Sequence, residues 1–111
     1  MENKLNYVQT VLDKKIIILC NDTNKKKYLR SLGAKRKFIF RSEWVINYST
    51  ETDLGNFFSK LRNENFSFSY DQHGWGPSDL FKYLREKKLL EGSFVEIYWV
   101  GPGKYNTKKN Q

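Results

Sequence analysis

Alternating apolar and polar residues predict β-strands in both halves of the chain. Residues 5–12 and 15–20 are both rich in β-formers and are joined by Asp13 and Lys14, so this stretch predicts a tight hairpin. Residues 16–20 are apolar at every position, which favours a central strand covered on both faces. Further strands are predicted at 37–48, either continuous or bulged near Ser42, at 66–70 and at 94–100.

Apolar residues at helical spacing predict three helices. Their predicted ranges are 24–32, from within 49–52 to about 63, and 79–90. Asp22 or Thr23 is the expected cap of the first helix, because a short side-chain oxygen accepts hydrogen bonds from the free N–H groups of the first turn. Ser78 is the expected cap of the third helix, and Gly33 and Gly92 are natural stops.

The predicted order of elements is β-β-α-β-α-β-α-β. Strands that alternate with helices favour an α+β fold, in which a mixed sheet of about five strands carries two or three helices. The alternative is a winged-helix-like C-terminal half, because a helix at 80–90 is followed by Gly92 and a hairpin at 94–105. The 111 residues fit one domain, predicted over 1–105, and the polar, basic segment 106–111 is predicted to be a disordered tail.

Positive charge is concentrated in one stretch of the chain. The net charge is +8; residues 25–41 contribute eight basic side chains and no Asp or Glu, whereas residues 42–100 carry six basic and nine acidic side chains and sum to −3. The eight are Lys25, Lys26, Lys27, Arg30, Lys35, Arg36, Lys37 and Arg41. Such a cluster favours binding to phosphates, although a solvated face of a helix and strand has the same sequence pattern.

A glycine-rich loop at 73–78 leads into the third predicted helix. Free N–H groups at a helix N-terminus favour anions, so His73 is a candidate phosphate contact and Trp75 a candidate stacking residue for a base. The structural interpretation is a turn in which Trp75 packs on the core. The Gly-Lys-Ser/Thr signature of a phosphate-binding loop is absent from the sequence.

Three aromatic residues near the C-terminus have two interpretations. Tyr98, Trp99 and Tyr105 flank a Gly-Pro-Gly turn close to the basic tail. If exposed, they would form a stacking platform for bases or an anchor for a protein partner. Packing on the core or over a sheet edge is the structural interpretation.

Few residues suit a catalytic site. His73 is the only histidine and Cys20 the only cysteine, which excludes multi-histidine metal sites, four-cysteine zinc sites and internal disulfides. A nucleophile pair of Cys20 and His73 is formally available, but Cys20 ends an apolar strand and is expected to be a core thiol. Clustered carboxylates are the other enzymatic interpretation, from Asp71, Asp79, Glu43 and Glu96. No enzyme activity, cofactor or metal is predicted.

Composition limits the class of protein. The chain is 39% hydrophobic and 16% aromatic, which indicates a folded domain rather than a disordered chain. No run approaches the roughly 20 apolar residues of a membrane span, and the N-terminus lacks the layout of a signal peptide. A cytoplasmic location and no membrane partner are therefore expected.

We expect a small, basic, non-enzymatic protein that binds nucleic acid or another phosphate-bearing ligand. Residues 25–41 would supply the phosphate contacts, assisted by the 73–78 loop. The alternative is a protein–protein module, such as an inhibitor, an immunity protein or a phage anti-defence factor, whose positive face meets an acidic partner protein. Residue usage rich in Lys, Asn, Ile and Tyr is typical of small accessory proteins of low-GC bacteria and their phages.

Overall fold

The computed structural model describes residues 5–37 and 42–111, and these form seven strands and three helices. The strands are β1 Tyr7–Leu12, β2 Lys15–Leu19, β3 Lys35–Arg36, β4 Glu43–Asn47, β5 Ser67–Ser69, β6 Phe94–Gly101 and β7 Lys104–Asn110. The helices are α1 Thr23–Ser31, α2 Glu51–Asn63 and α3 Pro77–Glu86. The predicted α+β class, with helices on a mixed sheet, is confirmed.

The seven strands form one mixed sheet in the order β3-β4-β2-β1-β5-β6-β7. β5 is parallel both to β1 and to β6, so these three strands run in the same direction. β2 is antiparallel to β1 and to β4, and β7 folds back antiparallel on β6. The carboxyl ends of the three parallel strands therefore meet at one end of the sheet and their amino ends meet at the other.

The predicted hairpin between β1 and β2 is present. Asp13 and Lys14 have φ values of 54° and 61°, the left-handed conformation that a two-residue type I′ turn requires. Ile16 and Ile18 of β2 are fully buried, but Ile17 on the opposite face is only half-buried. β2 is thus a central strand, but it is not covered on both faces.

All three helices pack on the same face of the sheet. The strand residues of the buried cluster occupy that face by register, namely Val8, Ile16, Ile18, Trp44, Ile46, Phe68 and Phe94. Leu29 of α1, Phe58 of α2 and Phe81 of α3 complete the cluster, and the Phe58 and Phe81 rings both contact Phe68. We call this the covered face. No helix of the described residues lies on the other face, which we call the open face.

α1 and α2 begin where their capping residues predict. The Asp22 carboxylate accepts hydrogen bonds from the N–H groups of Asn24 and Lys25, at 2.9 and 3.0 Å. Thr50 Oγ1 accepts one from the N–H of Asp53 at 3.1 Å. Each cap satisfies donors that the first turn of a helix leaves unpaired.

α3 begins two residues earlier than predicted, and Ser78 is not its cap. Gly76 is the N-cap and Pro77 takes the first helical position, where a missing N–H costs nothing. The Asp79 carboxylate accepts a hydrogen bond from the N–H of Gly76 at 3.1 Å. Ser78 is fully buried and donates instead to the carboxylate of Glu96 on β6.

The middle and end of the predicted order also differ from the structure. The predicted strand 37–48 is wrong in extent: β4 occupies only Glu43–Asn47, and β3, which precedes the predicted range, pairs antiparallel with it. Residues 38–41 lie outside the described residues. The sheet accordingly has seven strands instead of about five. α3 stops at Glu86 because Lys88 adopts a left-handed φ of 61°, so Gly92 is not the residue that ends it.

β7 corrects the prediction of a disordered tail at 106–111. It pairs with β6 from Lys104 opposite Gly101 to Asn110 opposite Phe94. An edge strand tolerates polar and charged side chains because only one of its sides is paired, so its sequence lacks the expected apolar alternation. α3 and the β6–β7 hairpin do follow the winged-helix order, but β6 also pairs with β5, and no separate winged-helix half forms.

Candidate functional site

The basic residues of α1 do not all remain available to a ligand. Lys25 Nζ donates to the Glu64 carbonyl oxygen at 2.7 Å and lies 5.8 Å from the centre of the Phe66 ring. The hydrogen bond of this lysine therefore links α1 to the segment between α2 and β5. Lys26 is half-buried and Lys27 is exposed.

Arg30 and Arg36 lie together on the covered face. The Arg30 guanidinium is 5.2 Å from the centre of the Trp44 ring. Arg36 pairs in register with Trp44, and residues opposite each other in neighbouring strands share a face of the sheet. The two arginines thus lie on the same face as a buried indole, and cation–π attraction favours the contact of Arg30 with its ring.

Lys35 and Lys37 belong to the open face. Lys35 is the register partner of Val45, and side chains alternate along a strand, so it lies opposite to Arg36. Lys37 Nζ forms an ion pair with Glu43 Oε1 at 3.1 Å. Of the predicted basic residues, Arg41 lies outside the described residues. The structure therefore distributes this region over two faces and does not gather it into one patch.

The loop before α3 separates the two residues predicted from it. His73 lines a cavity of about 700 Å³, and its N–H donates to Asp71 Oδ1 at 2.9 Å. Trp75 is 65% exposed, does not line that cavity, and places its ring 6.2 Å from the Tyr83 ring of α3. Trp75 is therefore not packed in the core, and it does not share the cavity with His73.

The cavity lies at the carboxyl ends of β1, β5 and β6. Its wall includes Ser69, Asp71, Gln72, His73, Tyr98 and Trp99. Open sheets with parallel strands commonly bind ligands at this end, where the following loops diverge. The position could not be predicted from the sequence, because it depends on the parallel pairing of three distant strands.

The cavity and the basic region lie at opposite ends of β5. Lys25 contacts Glu64, which precedes β5, whereas His73 follows it. None of the described basic residues of the 25–41 region lines the cavity. The two predicted site elements consequently do not form one continuous surface.

Three aromatic rings contact one another across the open face. The Tyr7 and Trp99 ring centres are 5.8 Å apart, and those of Trp99 and Tyr105 are 5.6 Å apart. Ser67 and Ser69 of β5 lie between β1 and β6, and their small side chains leave room for this contact. Trp99 is 39% exposed, so one member of the cluster remains available to solvent. We call these rings the aromatic chain.

Tyr7 is the member of the aromatic chain that the sequence did not identify. Its contact with Trp99 requires β1 to pair with β5 and β5 with β6, which no local pattern encodes. Burial, with a further contribution from the Glu43 carboxylate, raises the pKa of the Tyr7 phenol above its ordinary value. Tyr7 thus remains an uncharged ring in neutral solution.

Lysines outnumber acids on the open face. Register and alternation place four lysines there, namely Lys15, Lys35, Lys37 and Lys109. Glu43 is the one acidic strand residue on the same face within the described part of the chain, and it pairs with Lys37. Among the described strand residues, the open face therefore carries a net positive charge.

Cys20 does not pair with His73. Cys20 is fully buried and follows β2 at the amino end of β1, whereas His73 lies beyond the carboxyl end of β5. Burial is the main cause that raises the pKa of the Cys20 thiol, and its Sγ donates to the Asp22 carbonyl at 3.6 Å. The position fits the core thiol predicted from the sequence.

The four carboxylates considered for catalysis each make a different contact. Glu43 pairs with Lys37, Asp79 accepts the Gly76 N–H, Asp71 accepts the His73 N–H, and Glu96 accepts the Ser78 hydroxyl. Lys82 Nζ also lies 3.5 Å from Glu96 Oε2. The four carboxylates thus have separate partners and do not form one cluster.

Two classes of feature are missing from residues 5–37 and 42–111. No group of three or more His, Cys, Asp or Glu side chains there is arranged to hold a metal ion. None of the helices there is long and apolar enough to cross a membrane. Compared with protein-family models, curated proteins and solved structures, the chain gives no match.

Proposed function

We propose that this chain binds single-stranded nucleic acid on the open face of its sheet. The observation that carries the proposal is Trp99, which is 39% exposed and contacts Tyr105 and the buried Tyr7 on a face that no described helix covers. Aromatic rings on a sheet surface stack with unpaired bases, whereas the bases of a duplex are already stacked on each other. A single strand is therefore the form of nucleic acid that suits this surface.

Lysines on the same face supply the phosphate contacts. Lys109 of β7 lies opposite Val95, on the same strand pair as Trp99 and Tyr105, and Lys35 and Lys15 lie toward the other edge of the sheet. Lysine contacts to phosphates release counterions and do not depend on sequence. Stacking and charge together favour broad binding of single strands, with no reaction on the nucleic acid.

The role of the 25–41 region is smaller in this proposal than its sequence indicates. Lys25 is engaged with Glu64, Arg30 and Arg36 lie on the same face as Trp44, and Lys37 pairs with Glu43. Lys35 lies on the open face and forms no ion pair with an acidic side chain among the described residues. Phosphate contacts are therefore expected along the sheet rather than along α1.

Replacing Trp99 tests the proposal. The Trp99→Ala variant should bind a ten-nucleotide single strand about tenfold more weakly, because stacking on one aromatic side chain contributes roughly 1–3 kcal/mol per base. Fluorescence anisotropy of labelled DNA and RNA oligonucleotides at low salt measures the dissociation constant. A thermal melt of each variant checks that the fold is retained.

Trp75→Ala is the matched control for that experiment. Trp75 is also exposed, but it packs against Tyr83 beside α3, away from the open face. It should bind the oligonucleotide as the unmodified protein does. Equal losses in the two variants, or no binding of any single strand by the unmodified protein, would contradict the proposal.

A protein–protein module is the second candidate, favoured by apolar side chains at one end of the sheet. Leu12, Trp75 and Val100 are 65%, 65% and 59% exposed, and all three lie at the carboxyl ends of the parallel strands. Exposed apolar side chains at one end of a molecule favour a partner protein. A single acidic protein that co-purifies after nuclease treatment, and is lost in Trp75→Ala, would support this candidate over nucleic acid.

A further inference from the structure

We infer that the cavity at the carboxyl ends of β1, β5 and β6 receives one base of the bound strand and favours guanine. The inference rests on the proposed function, since the base arrives as part of a strand on the open face. Tyr7 and Trp99 belong both to the aromatic chain and to the cavity wall. The stacking surface thus continues from the sheet into the cavity.

The cavity wall suits a base and not a phosphate. Among the described residues that form it there is no Lys or Arg, and the Asp71 carboxylate is its acidic group. A phosphate would be repelled by that carboxylate without a neighbouring lysine or arginine to offset the repulsion. Ser69 and Gln72 instead offer a hydroxyl and an amide, which donate to and accept from the edge of a base. A volume of about 700 Å³ is within the usual size of a small-molecule site.

The loop holds Asp71 in a fixed position. Its Oδ1 accepts the N–H of His73 at 2.9 Å. Gly76 approaches Asp71 so closely that a Cβ on Gly76 would lie 2.9 Å from the Asp71 Cβ and backbone N. Oδ2 makes no hydrogen bond with the described residues and Oδ1 keeps a second lone pair, so both carboxylate oxygens can accept from a ligand.

The Asp71 carboxylate determines which base the cavity prefers. An ionised carboxylate only accepts hydrogen bonds. The pairing edge of guanine presents two adjacent donors, an N–H of the ring and an amino group. Adenine and cytosine present an amino donor beside an acceptor, and thymine and uracil place one N–H between two carbonyl oxygens. The expected preference is guanine first and thymine or uracil last.

The test compares ten-nucleotide thymine strands that carry one central guanine, adenine or cytosine with the all-thymine strand. The unmodified protein should bind the guanine-containing strand about tenfold more tightly than the all-thymine strand, in the range that a two-bond contact to one base provides. In Asp71→Asn, the second oxygen becomes an amide donor of nearly the same size. This variant should lose the guanine preference, so that its dissociation constants for the guanine-containing and the all-thymine strands become equal.

Asp13→Asn is the matched control. It removes the same charge at the same end of the sheet, lies in the β1–β2 turn where asparagine is well tolerated, and does not line the cavity. It should keep the guanine preference. Equal binding of all four strands by the unmodified protein, or a preference that survives in Asp71→Asn, overturns this inference and leaves the proposed function standing. Failure of every strand to bind overturns both.

Discussion

Ser78 shows how one side chain can have a role that its position in the sequence hides. Serine before an apolar helix indicates an N-cap, yet Ser78 is fully buried and donates to Glu96, which is 4% exposed. Lys82 Nζ lies 3.5 Å from the same carboxylate. α3 therefore supplies two partners of an acidic side chain on β6, and these contacts could not be predicted because the pairing of β6 with β5 brings Glu96 beneath α3.

Removing that hydroxyl should destabilise the fold. Ser78→Ala leaves a buried carboxylate with one donor fewer, and the free energy of unfolding should fall by roughly 1–3 kcal/mol. Urea unfolding followed by circular dichroism measures the change. Ser31→Ala is the control, because the Ser31 hydroxyl donates to the Tyr28 carbonyl at an exposed site and its loss should cost about 0.5 kcal/mol or less. Similar losses in both variants would mean that Glu96 does not depend on Ser78.

The β1–β2 hairpin is the element whose sequence and structure agree best, and it allows a prediction with a definite sign. Lys14 occupies a left-handed conformation at φ 61°, which costs a side-chain-bearing residue about 1–2 kcal/mol relative to glycine. Lys14→Gly should therefore raise the free energy of unfolding by about 0.5–1 kcal/mol after the greater freedom of glycine in the unfolded chain is subtracted. Lys15→Gly, one residue later in β2, should lower it. A melting temperature that falls in both variants would contradict this account of the turn.

Local patterns predicted the elements that local interactions stabilise. The caps of α1 and α2 and the turn of the hairpin depend on neighbouring residues, and all three are present. β7 was missed because its polar sequence is stabilised by pairing with β6 and not by an apolar face of its own. The predicted strand 37–48 was too long because a period of two does not show where a chain reverses: β4 begins only at Glu43, and the Lys37 N–H donates back to the Glu43 carbonyl oxygen.

The distribution of charge over the whole molecule differs most from what the sequence indicates. Eight cations within 17 residues suggest one patch. Among the described ones, however, Arg30 and Arg36 lie on the covered face and Lys35 lies on the open face. The candidate surface instead combines Lys35, from that region, with Lys109, which is distant in sequence and lies in a strand that was not predicted. Such a surface becomes visible only when the strand order is known.

The salt dependence of binding tests whether the lysines of the open face contact phosphates. Each phosphate contact to a single strand contributes roughly 0.7 to the slope of log affinity against log salt concentration. The double variant Lys35→Gln/Lys109→Gln should therefore lower that slope by about 1.4. Lys87→Gln/Lys88→Gln removes two exposed charges at the end of α3, beside the covered face, and should leave the slope unchanged. If the two pairs lower the slope equally, binding responds to net charge alone and the open face is not the site.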